Sequence, residues 1–130
     1  MKYLVHLSLV LIAVSLNSCC NQHGYPAAVI TVEYVGEFTT PNAYQIRTDG
    51  NDMNTILDTA IVPGTFTNDG FKIVISLSEN NNNFFLMPFD SSRVDTVTSA
   101  TFGRGKCDAI ENLEYRWNGA YKTDRDLRVQ

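Results

Sequence analysis

Phe71, Ile73, Ile75 and Leu77 alternate with Lys72, Val74 and Ser76. Successive side chains on an extended chain point to opposite faces, so this spacing buries one face of a strand and wets the other. The same period governs Ala28–Val35, where Ile30, Val32 and Tyr34 share a face and Thr31 and Glu33 share the other. Half-buried strands need a second apolar layer, and sheet on sheet is the simplest supply.

The rest of the chain repeats the pattern in short runs. Tyr44 and Ile46 alternate with Gln45 and Arg47, giving a second strand. Phe84 to Phe89 is apolar on both faces except at Pro88, which reads as a strand ending near a sheet edge. The short polar loop before it, Glu79 to Asn83, makes a hairpin with Phe71–Leu77. Val94 to Phe102 is rich in Thr and prone to extension. Leu113, Tyr115 and Trp117 alternate with Glu114, Arg116 and Asn118 in a sixth strand running toward Tyr121, and Leu127 and Val129 allow a short last one. Gly36, Asp49-Gly50-Asn51, Pro63-Gly64, Asn68-Asp69-Gly70 and Gly103-Arg104-Gly105 punctuate these runs.

One stretch has helical spacing. Met53, Ile56, Leu57, Ala60 and Ile61 fall on one helix face, Asn51 can cap it, and Pro63-Gly64 stops it. A strand through Thr55, Leu57, Thr59 and Ile61 competes. The expected fold is therefore all-β, a single antiparallel β-sandwich or small barrel, with one short helix near residues 52–62. Residues 28–130 form one domain.

Chemistry is sparse. Past residue 18 the one histidine is His23, which lies before the first strand. A catalytic triad needs a positioned imidazole, and a zinc site needs three or four converging ligands. In Asp49-Gly50-Asn51-Asp52, Met53 stands where a calcium loop wants oxygen. No metal, no cofactor and no catalytic residue are expected. Acidic residues in the loops leave room for a small hydrolase using paired carboxylates, which would need two of them facing across a cleft. Residues 19–130 carry nine basic and fourteen acidic side chains, a net charge of −5. That balance argues against nucleic-acid binding. Tyr115, Trp117 and Tyr121 recur at even spacing, and an exposed aromatic row of this kind stacks on sugar rings. Filling of the core is the competing role for them, for Trp117 above all.

The first twenty residues, MKYLVHLSLVLIAVSLNSCC, set location. Lys2 precedes an apolar run from Tyr3 to Leu16, and Leu16-Asn17-Ser18-Cys19 comes next. The layout is that of a secretory signal, and the run is short for a membrane span. Leu16, Ser18 and Cys19 resemble the lipobox of bacterial lipoproteins, with Asn17 departing from the usual small residue. The resemblance implies removal of residues 1–18 and acylation of Cys19. Residues 19–27 become a tether, and 112 residues remain. Cys20 and Cys107 are then left to pair in an oxidising compartment, or Cys107 packs as a small apolar residue.

The chain also looks like the small uncharacterised lipoproteins of the Bacteroidota. That likeness implies a module held to the outer membrane by lipid and facing the periplasm. Cys20 occupies the position where an Asp retains proteobacterial lipoproteins at the inner membrane. Asn21–Tyr25 lacks the acidic cluster associated with surface export in Bacteroidota. The expected function is a non-catalytic envelope binding or assembly module recognising glycan or a partner protein. A lipocalin-like carrier of a small apolar ligand is the alternative.

Overall fold

The computed structural model describes residues 28–49, 54–77, 83–105 and 109–130. Cys19, Cys20, His23, Cys107, the signal and tether, and the Gly50–Met53 turn lie outside the described residues. No helix among those described is long and apolar enough to cross a membrane.

Among the described residues ten strands build two sheets. β1 (Ala28–Val35), β4 (Thr65–Thr67), β5 (Gly70–Leu77) and β10 (Asp126–Val129) form a four-stranded sheet in the order β10-β1-β5-β4. β2 (Asn42–Thr48), β3 (Ile56–Pro63), β6 (Phe84–Pro88), β7 (Asp95–Arg104), β8 (Ile110–Trp117) and β9 (Ala120–Lys122) form a six-stranded sheet in the order β3-β2-β6-β7-β8-β9. The two sheets pack as a sandwich and do not close into a barrel. All pairings are antiparallel except β1 with β10, which run parallel from Thr31↔Asp126 to Tyr34↔Val129.

The predicted alternation of β1 and β5 holds along both strands. Ile30, Val32, Tyr34, Phe71, Ile73 and Ile75 are buried, and they meet Phe84, Leu86, Val97, Leu113, Tyr115 and Trp117 from the other layer. Each large apolar side chain taken from water contributes roughly 1.5–3 kcal/mol. Tyr34 and Phe38 each pack against Phe71, the first tilted with ring centroids 5.3 Å apart and the second edge-on at 4.7 Å. Gly70 opens β5 under a tight constraint, because a Cβ there would fall on the carbonyl oxygen of Tyr34.

Three expectations are corrected. The helix near residues 52–62 is not formed; the described part of that stretch includes strand β3, paired with β2 from Asn42↔Pro63 to Thr48↔Ile56. Its helical spacing has no apolar surface to cover, and the β-branched Ile56, Thr59, Ile61 and Val62 suit the ladder that β2 offers. β5 and β6 belong to different sheets and do not pair as a hairpin. β6 is an interior strand; Pro88 is accommodated because pairing with β7 ends at Leu86↔Asp95. In β2 the residue pointing into the core is Ala43, and Tyr44 and Ile46 face outward.

Candidate functional site

The aromatic row expected from Tyr115, Trp117 and Tyr121 does not form. Tyr115 and Trp117 fill the core beneath β8. The Tyr115 hydroxyl donates to the carbonyl oxygen of Asp124 at 2.5 Å. Burial, and then the charges of Asp124 and Asp126, push its phenol up to about 12. Tyr121 stands on β9 opposite Arg116, hence on the other face, and is 58% exposed. Beside it the Glu114 carboxylate holds the Tyr121 phenol above its ordinary value.

A two-residue turn explains the switch. Asn118 and Gly119 have φ of 49° and 82°, the left-handed pair that joins right-twisted strands in a tight hairpin. The side chain of Asn118 anchors the turn, accepting from the Thr96 amide at 2.7 Å and donating to Asp95 at 2.7 Å. Asn-Gly between two β-prone runs is the sequence signal that marks this hairpin, and it breaks the even spacing on which the row depended.

A different aromatic surface lies on the outer face of the six-stranded sheet. Strand register places Tyr44 between Ile61 and Met87, and Ile46 between Thr59 and Phe85. The Tyr44 ring stacks on Phe89 with centroids 4.3 Å apart and planes inclined by 19°. The chain is held there by the Phe89 amide, which donates to the Asn42 carbonyl at 3.0 Å. Asp90 comes next, at the rim. One of its carboxylate oxygens accepts from the Thr39 amide at 2.9 Å, the Thr39 hydroxyl at 2.7 Å and the Thr40 amide at 2.9 Å. The Thr39 hydroxyl, with the two amides, keeps this carboxyl below its usual range, so it stays ionised. The result is a stacked ring pair with Tyr44 partly exposed and an ionised carboxylate on the residue that follows Phe89.

Two other groups of charged side chains pair with each other. Asp95 is buried and accepts from Arg93 Nε at 2.7 Å. Tyr34 lies next to it, its phenol raised first by burial and then by the Asp95 carboxylate. On the four-stranded sheet Arg128 bridges two carboxylates, Glu33 at 3.2 Å and Asp69. A guanidinium between them occupies the space a hydrolytic pair would need for substrate. Among the described residues no group of three or more His, Cys, Asp or Glu side chains is placed to hold a metal.

Comparison of the chain with protein-family models, curated proteins and solved structures finds no match.

Proposed function

We propose that the chain is a lipid-anchored binding module of the bacterial cell envelope, recognising glycan through the outer face of its six-stranded sheet. The Tyr44–Phe89 stack carries this reading. Tyr44 is 38% exposed, and the part of its ring that the stacked Phe89 leaves uncovered offers the apolar face of a sugar an aromatic partner held in place by that stack; ring contacts of this kind contribute ~0.5–1.5 kcal/mol each. The ionised Asp90 alongside supplies an acceptor for sugar hydroxyls. Cys19, by its lipobox resemblance, supplies the anchor at the outer membrane, with the domain facing the periplasm. The module binds without catalysing.

A partner protein is the second reading, favoured by Ile46, Phe85 and Met87, which extend the apolar surface around the stack. The lipocalin-like reading has less support, because the side chains between the sheets form one buried cluster rather than the lining of a cup.

A glycan and metabolite screen on the purified protein tests the proposal. At least one glycan class is expected to bind, and Tyr44→Ala to weaken it by about tenfold. Binding that is absent across the screen, or indifferent to Tyr44→Ala, would remove the glycan reading.

A further inference from the structure

The two sheets have four edges, and three are defended. β4 and β9 are three residues long, and β10 is four residues with Asp126 and Arg128 on it. Short or charged edges are how sheet proteins avoid pairing with other chains. β3 departs from that rule. It runs for eight residues, Ile56–Pro63, with a single charge at Asp58. Ile56 is 62% exposed and Ile61 60%, and the strand shows solvent on both faces for most of its length. Its outer backbone groups have the geometry to accept one more strand.

We infer that β3 is a dimerisation edge, at which two copies of this chain join antiparallel into a continuous twelve-stranded sheet. The strand's own sequence names the partner. Set antiparallel to itself about Thr59, it brings Leu57 against Ile61, Ile56 against Val62, and Asp58 against Ala60. The one charge avoids its own image, and the apolar residues meet apolar residues, as stabilising cross-strand pairs require. The ladder with β2 bulges within β3 at Leu57, which has no partner in β2, so the strand is regular from Asp58 onward and the Leu57–Ile61 contact falls at the bulge. Each copy has one such edge, so the contact is isologous and closes at two.

The joint borders the Tyr44–Phe89 surface, since Ile61 lies across from Tyr44 and Thr59 across from Ile46, but it is made by the outer edge of β3 and holds whether or not that surface binds glycan. On the anchored reading proposed above it also orients the pair. A two-fold axis normal to the sheet keeps both four-stranded layers on one side. β1 comes directly after the tether and lies in that layer, so both Cys19 anchors can reach one membrane while both Tyr44–Phe89 surfaces face away from it.

Light scattering with absorbance and refractive-index detection on the purified full chain in non-ionic detergent separates protein mass from micelle. The expected mass is twice that of the chain. Thr59→Lys and Thr59→Glu each put like charges face to face at the two-fold axis and should weaken the dimer by about a hundredfold. Mixing the two variants should restore the dimer mass. Ile61→Lys, with a single-chain mass expected, serves if either Thr59 variant loses its far-ultraviolet strand signal. A single-chain mass for the unaltered protein, open-ended oligomers, or a dimer that persists in the single variants would overturn the inference. Mass spectrometry of Cys19 on the same samples reads the anchor separately, and a missing acyl group would leave the dimer result standing.

Discussion

Among the described residues, Tyr34 and Tyr115 are the two buried phenols whose protons link folding to pH. Burial is the main cause of the rise at both; Asp95 adds to it at Tyr34, and Asp124 and Asp126 at Tyr115. The unfolded chain releases these protons near the ordinary value of about 10. Above that pH the folded state holds more protons than the unfolded one, so stability falls as pH rises. Their contribution is fully present below about pH 10, and the Tyr115 part is lost as pH climbs through about 12. Melting temperatures measured upward from about pH 8 should hold level and then decline from about pH 10. Tyr115→Phe should make the decline shallower, and it should cost about 1 kcal/mol at neutral pH through loss of the bond to Asp124. A decline of unchanged steepness in that variant would mean the phenol is not held protonated by the fold.

Glycines at two turns separate backbone strain from steric exclusion. A Cβ on Gly119 meets no atom within 4 Å, so Gly119→Ala carries only the left-handed backbone cost of about 1–2 kcal/mol. Gly70→Ala drives a methyl group into the Tyr34 carbonyl and should disrupt the β4–β5 turn. Urea titration of both variants should show a moderate loss for the first and a much larger one for the second; equal losses would contradict this division. The elements differ just as much in how far sequence reveals them. β1 and β5 have one wet and one dry face, and their alternation gives both position and phase. β3 has no dry face, so nothing imposes period two and a chance helical spacing competes. β2 alternates, but its outer face carries Tyr44 and Ile46 while small Ala43 points inward, so size misleads about phase. β5 and β6 are short-linked apolar runs that pair elsewhere, because connection length alone cannot tell a hairpin from a crossing between layers.

For the molecule as a whole, the sandwich was legible and the candidate surface was not. Alternating apolar residues require two packed sheets, whereas the Tyr44–Phe89 contact joins residues brought together only by the β2–β6 register. The even spacing of Tyr115, Trp117 and Tyr121 allows a surface row or a filled core, the core above all for Trp117; Tyr115 and Trp117 fill the core, and the Asn118-Gly119 turn places Tyr121 on the opposite face. The proposed anchoring is tested on the intact chain. Mass spectrometry of the membrane fraction should find the N-terminal residue to be an acylated Cys19, and Cys19→Ala should release the protein or block its processing. An unacylated Cys19 would contradict the envelope location. The surface itself is tested most directly by nuclear magnetic resonance, titrating the labelled protein with the tightest glycan from the screen. Shifts concentrated at Tyr44, Ile46, Phe85, Met87 and Phe89 are the expected result. Shifts concentrated on the four-stranded sheet, or around Tyr121, with the Tyr44–Phe89 face unmoved, would contradict glycan recognition at this face.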